Sequence, residues 1–268
     1  MDWSEVTMPQ SKPPVIGTAV IAWADAFRVI AAMPLVAGVA FVIVFLLSFT
    51  LWILPDPVAF VTSPWLPVYT VVSSIVRGVL LAPLAIAVHR YVLLGELTDR
   101  YPLDPFSARY VRFAGFAVLV NVLWSLPGVI EGYTLDLQQT SGIAASLGIV
   151  STVLFITIII VVVRRIILFP AVAVDAPGAT WSNARRDTKG SSWRVALIMF
   201  FVALPAIIVV VVLYYILLGA GLAHTNQLAF TVLRSLVAVP TLCAFAAAAS
   251  HIFRVRADNL AQPVPGPI

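Results

Sequence analysis

Two arginines sit where an arginine is hard to accommodate. Arg77 lies in VVSSIVRGVLLAPLAIA and Arg234 in FTVLRSLVAVPTL, and each is followed six residues on by a proline, Pro83 and Pro240. Small hydroxyl residues precede both: Thr70, Ser73 and Ser74 before Arg77, and Thr231 before Arg234. A guanidinium keeps its charge and offers five N–H donors in a fixed fork. At the centre of a membrane span it costs ~2.5–3.5 kcal/mol on the insertion scale unless it faces protein, water or an anion. A span beginning near Val68 places Arg77 ~13 Å along the helix from the boundary, too far to reach back to the surface easily. Two readings follow. In the structural one, Arg77 pairs with Asn121, with the Ser73 and Ser74 hydroxyls, or with carbonyls freed near Pro83. In the functional one, Arg77, Arg234, Ser73 and Ser74 hold an anion or a lipid headgroup. Arg234 is shallower, within reach of Glu131, Asp136 or outer phosphates.

A second concentration of charge is RRIILFPAVAVDAPGATWSNARRDTKGSSWR, from Arg164 to Arg194. It carries six of the sixteen basic residues: Arg164, Arg165, Arg185, Arg186, Lys189 and Arg194. Such a surface attracts anionic lipid at ~1 kcal/mol per residue; it could equally dock a partner protein. Reactive chemistry is harder to find. No P-loop, H-E-x-x-H or G-x-S-x-G occurs. His89 and His251 fall at span ends and read as interface anchors, while His224 stands alone in a loop. The single cysteine, Cys243, lies in an apolar run, so no intramolecular disulfide is possible. We expect no enzyme, no cofactor, no metal centre and no nucleic-acid partner. Lipids are the expected partners, anionic at the cytoplasmic face, with a membrane protein or a second copy of the chain as a further candidate.

These residues are set in a chain that is 61% hydrophobic and 10% charged, with a mean hydropathy of +1.03. A water-soluble domain carries about a quarter charged residues, so lipid must be the main solvent. The fold class is all-α: a polytopic membrane protein with six transmembrane helices. Six apolar stretches are long enough to cross a ~30 Å hydrocarbon layer: Met33–Leu54, Val68–His89, Phe113–Val129, Ile143–Val163, Val195–Leu218 and Leu228–Ile252. Fourteen of the sixteen basic residues fall on one side of these spans, and the loops of the other side hold none. By the positive-inside rule both termini are cytoplasmic. The expected organisation is a tail and interfacial helix over 1–32, a transmembrane domain over 33–256 with segment 164–194 between spans four and five, and a Pro-rich tail over 257–268.

Each pair of spans has an amphipathic lead-in on the cytoplasmic face. Val20, Trp23, Phe27 and Ile30 recur at helical spacing, with Thr18, Asp25 and Arg28 on another face, which is the pattern of a helix lying apolar side down in the interface. Asp104-Pro105 supplies an N-cap and first-turn proline before the third span. Pro177-Gly178 makes a turn, and a short helix from about Trp181 ends near Gly190. Trp181, Ala184 and Thr188 are placed to face lipid, with Arg185 and Lys189 facing phosphate. The small-residue run AFAAAAS over 244–250 suits close helix contact.

The stretch FPAVAVDAPGATWSNARRDTKGSSWRV and the ending SHIFRVRAD resemble a bacterial family of uncharacterised six-helix inner-membrane proteins. Relatives of that family form the membrane domain of some glycerophosphodiester phosphodiesterases. The resemblance implies six spans and a multi-pass inner-membrane location, and it brings no catalytic residues. The expected role is a non-catalytic accessory, scaffold or membrane-organising protein that binds lipid or a partner through its basic face. The alternative is a small-solute or lipid transporter using the Arg77–Arg234 seam.

Overall fold

The computed structural model describes residues 14–50, 65–136, 141–219 and 227–261, excluding the side chains of 131–141, 217, 218 and 227. All regular structure among them is helical: α1 Val15–Ala32, α2 Pro34–Phe49, α3 Trp65–Leu94, α4 Ala108–Asp136, α5 Ser141–Val163, α6 Leu168–Ala173, α7 Trp181–Asp187, α8 Ser192–Gly219, α9 Gln227–Arg256 and α10 Asp258–Ala261. The chain is an all-α polytopic membrane protein. Six of these helices are long and apolar enough to cross a membrane: Val15–Ala32, Trp65–Leu94, Ala108–Ile130, Gly142–Val163, Ser192–Ile216 and Leu228–Arg256.

Five of those six match expected spans, but the first does not. Pro34 removes an N–H and pushes the preceding residue out of the α region. Met33 accordingly sits at φ −129°, ψ 59°, which splits one apolar run into α1 and α2. Met33 Sδ lies 3.3 Å from the Thr98 amide, just past the end of α3. At the other end of α2, Thr50 Oγ1 is 2.8 Å from Tyr69 Oη, near the start of α3. Thus α2 runs the length of α3 in the opposite direction, and the end of the expected first span, Leu54, lies outside the described residues.

α1 turns its small and polar side chains to protein. Its Thr18, Ala19, Ala22, Ala26 and Val29 are buried, and the helix packs along α9 and α8 as part of the bundle. Trp23 Nε1 donates to the Val202 carbonyl of α8 at 3.1 Å, and Asp25 meets His251 Nε2 of α9 at 2.7 Å. The large apolar side chains Ile16, Val20, Ile21 and Phe27 remain exposed. Thr18 and Asp25 therefore face protein instead of water. On α9 the alanine run is buried, with Ala244 and Ala246–Ala249 inside the bundle. Small side chains on both helices let their backbones approach closely.

The seam between α3 and α4 is tight for a different reason. A Cβ built on Gly78 would come within 2.8 Å of the Val118 backbone, so only glycine fits there. Five residues on, Pro83 has no N–H for the Val79 carbonyl, the group an unbroken helix would use. Tyr110 Oη of α4 donates to that carbonyl at 2.9 Å, and Tyr101 Oη donates to Leu80 O at 2.5 Å. Neighbouring side chains thus satisfy the proline kink, as they must in a solvent without water. Tyr110→Phe is expected to destabilise the protein by about 1–3 kcal/mol, because Val79 O then has no donor. Tyr101→Phe should cost less, since Leu80 O keeps a helical partner. Thermal unfolding of both variants in the same detergent checks the order.

At one end the bundle carries most of its described basic residues, and several bind backbone. Arg90 holds Glu96 at 2.6 Å and donates to the last carbonyl of α6, Ala173 O, at 3.1 Å. Arg109 pairs with Asp175. Arg112 donates to Ala179 O at 2.8 Å, and Arg254 to Val92 O. Arg90, Arg109 and Arg112 thereby clamp the segment 164–194 across the ends of α3 and α4, while Arg254 ties α9 to α3. Its turns fall where Asp175 and Gly190 take positive φ, 54° and 80°. The expected short helix is α7, capped by Thr180, whose hydroxyl accepts from Asn183 N at 3.3 Å. Its apolar face meets protein: Ala184 and Thr188 are fully buried, and Trp181 stacks on Phe116 beneath Arg165. The N-cap of α4 also moves: Ser107 Oγ accepts from Tyr110 N, so α4 begins three residues beyond Pro105.

The chain's last described turn docks against α7. The Asp187 carboxylate accepts from Asn259 N and Leu260 N at 3.0 Å each and from Asn259 Nδ2 at 2.5 Å. Burial pushes the Asp187 carboxyl above its usual range, and these donors pull it back. Asp187→Ala is expected to release residues 258–261, raising amide exchange there while the long helices keep their protection.

Candidate anion site in an intramembrane crevice

Between α3, α4, α8 and α9 lies a cavity of about 710 Å³. It exists because the facing residues are small: Gly78, Ala82 and Ala85 from α3, Ala117 from α4, Ala238 and Ala246 from α9. The long helices cannot close further, since Leu81, Leu242 and Phe245 stand between the small positions. Into this space α3 brings Arg77 and α9 brings Arg234. The two residues singled out by sequence therefore share one cavity.

Arg77 is partly buried and makes no hydrogen bond or ion pair to any described residue, and Arg234 is exposed. The partners expected for a structural Arg77 are engaged elsewhere. Ser73 and Ser74 donate back to Thr70 O at 3.0 and 2.7 Å and do not line the cavity. Asn121 Nδ2 donates to Ala117 O at 2.8 Å, and Tyr110 has taken the carbonyl freed by Pro83. Glu131 and Asp136, expected near Arg234, lie outside the residues whose side chains are described. The cavity has no Asp or Glu among its described lining; its further polar side chains include Asn121, Thr241 and His89. Two guanidiniums with free donors and no carboxylate form a receptor for an oxyanion, which can accept from both at once.

Sequence reasoning misplaced His89. It is 2% exposed, lines the cavity and forms no interface anchor. Its Nδ1 lies 2.8 Å from Ser250 Oγ, which donates to Ala246 O at 3.0 Å. With the hydroxyl proton on Ala246 O, Nδ1 is the donor and Nε2 keeps its lone pair. The pair has the separation of a Ser–His dyad but the wrong proton placement for activating the serine. The available signal was a hydroxyl, Ser250, ending an alanine run, which a lone polar partner on another helix would satisfy.

The basic surface divides in two. Arg164, Arg185, Arg186 and Lys189 are exposed, and their side chains make no hydrogen bond or ion pair to the described residues. Arg165 instead lies 4.3 Å over the Trp181 ring and donates to Val161 O, and Arg194 is half-buried. Burial, then the neighbouring Arg185 and Arg164 charges, push the Arg165 guanidinium below its ordinary range. Among the described residues no cluster of His, Cys, Asp or Glu is arranged to hold a metal.

Comparison with protein-family models, curated proteins and solved structures returns no match to this chain. The class is defined by the helices alone, and the function has to be argued from the site.

Proposed function

We propose that this integral membrane protein is non-catalytic and binds an anionic group in the crevice, as a carrier for a small solute or a lipid. One observation carries the reading: Arg77 and Arg234 line the same apolar cavity, and no described carboxylate accompanies them. Like charges gathered in a low-dielectric space favour an anion between them. The test is purification in a mild detergent or nanodisc, followed by native mass spectrometry. A bound phosphate- or carboxylate-bearing molecule, lost in Arg77→Gln, is the expected result. A stoichiometric protein partner with an empty crevice would overturn the reading.

That second outcome belongs to the accessory or scaffold role, which the exposed Arg164, Arg185, Arg186 and Lys189 favour beside a Trp193 that is 75% exposed. An aromatic ring next to basic side chains suits an interface with anionic headgroups. Replacing Arg185, Arg186 and Lys189 together by Gln should reduce co-purified anionic lipid, at ~1 kcal/mol per charge removed. The resemblance noted above supports a bacterial inner-membrane location, and the distribution of basic residues supports cytoplasmic termini. Reporter fusions at Met1 and Ile268 should both report the cytoplasm. A Met1 fusion facing outward would mean that α1 crosses as an additional span.

A further inference from the structure

We propose that the crevice is loaded sideways from the bilayer and that its ligand is a lipid with a phosphate or carboxylate headgroup. This rests on the anion site proposed above and adds the ligand's class and route. Four residues line the cavity and are also exposed: Arg234 of α9, and Trp124 of α4 at 50%, Ile207 of α8 at 51% and Val211 of α8 at 46%, the last three marking a mouth between α4 and α8. The mouth residues of α4 and α8 are apolar, and these two helices scarcely touch, so no described helix closes the slot between them. An apolar mouth on the side of a helical bundle opens onto hydrocarbon, a route for an acyl chain and not for a free ion.

Toward the basic end the crevice is floored. Phe113 packs edge-on against Phe169 with ring centroids 5.2 Å apart, and His89 lies against Phe113 at 5.8 Å. Entry from that side would have to displace fully packed aromatics. The interior is polarised along its length. Arg77 and His89 are twelve residues apart on α3, roughly 18 Å by helix rise, and the walls between them are Leu81, Ala82, Ala85, Leu242 and Phe245. A free oxyanion would use only the arginine end and leave most of the volume unfilled. A charged headgroup with an acyl chain matches both parts: oxygens to the two guanidiniums, methylenes to the small and aliphatic wall. The volume lies within the ~300–1,000 Å³ range of sites that enclose a small ligand, which favours one chain inside the crevice.

The full chain in nanodiscs, with a lysophosphatidic acid carrying a diazirine near its chain end, tests this by photolabelling and peptide mapping. Adducts are expected within Val237–Phe245. They should fall at least tenfold in Arg77→Gln and in Val211→Trp, which fills the mouth, and should survive millimolar inorganic phosphate. Ile207→Trp serves as a second block if Val211→Trp does not purify as a monodisperse protein. Phosphate that competes with the lipid, and binds equally well to the blocked variants, would show a site filled from water. That result overturns the lateral route and leaves the anion site standing. Adducts spread evenly over the outer helix faces, together with no Arg77-dependent phosphate binding, would overturn both.

Discussion

Arg77→Gln is expected to abolish ligand-dependent stabilisation while leaving the ligand-free protein as stable as before, or more so. Each hydrogen bond from a guanidinium to an oxyanion contributes about 1.5–3 kcal/mol. Losing one of them weakens binding by roughly ten- to a hundredfold, at 1.4 kcal/mol per factor of ten. In the ligand-free state the sign reverses. Arg77 has no described hydrogen-bond partner and shares its cavity with Arg234, so removing its charge relieves repulsion and desolvation, on the order of 1 kcal/mol. Thermal unfolding with and without a phosphate-bearing lipid reads both effects. If Arg77→Gln unfolds several degrees below wild type without ligand, Arg77 holds the fold together and the binding reading fails. Arg234→Gln should weaken binding as well, with a smaller change in ligand-free stability because Arg234 is exposed.

Gly78→Ala is the second large effect. The added Cβ would stand 2.8 Å from both Val118 Cα and Val118 N. Backbone cannot rotate aside as a side chain would, so α3 and α4 must separate along their length. Overpacking of this kind costs about 1–3 kcal/mol, and it should also shift Arg77, the adjacent residue, relative to α9. Both a lower unfolding temperature and weaker ligand binding are expected. Gly115→Ala on α4 is the control, since nothing lies within 4 Å of its added Cβ. There the change should be neutral or stabilising, because alanine is the better helix former by up to about 1 kcal/mol. Equal behaviour of the two variants would mean that the α3–α4 contact is looser than described.

The two predictions differ in how visible their residues were beforehand. Arg77 and Arg234 stood out because a charge in an apolar run is costly wherever the run folds. Gly78 did not, since nothing local distinguishes a glycine that touches backbone from Gly115, which touches nothing. The basic residues show the same divide. Their segregation to one side was countable, but which of them clamp carbonyls depended on where other elements came to lie: α6 and α7 for Arg90 and Arg112, and α3 for Arg254.

Sequence alone determined that this is a helical membrane protein, because hydrocarbon tolerates only spans that satisfy their own backbone, and these runs are long and uncharged enough to do so. It also determined local breaks wherever the chain chemistry is strict: Pro34 ended α1, Pro177-Gly178 turned the chain before α7, and Gly190 took the left-handed conformation before α8. Tertiary structure alone decided the faces. In water a buried face is apolar and an exposed one polar, so periodicity reveals orientation. In lipid both faces are apolar, and burial follows side-chain size and shape instead. That is why Thr18 and Asp25 of α1 meet protein while Val20 and Phe27 stay exposed, and why His89 lies buried in the bundle. It is also why two arginines 157 positions apart, already paired by their spacing to a proline, acquired a shared cavity only when α3 and α9 were brought together around a row of small residues.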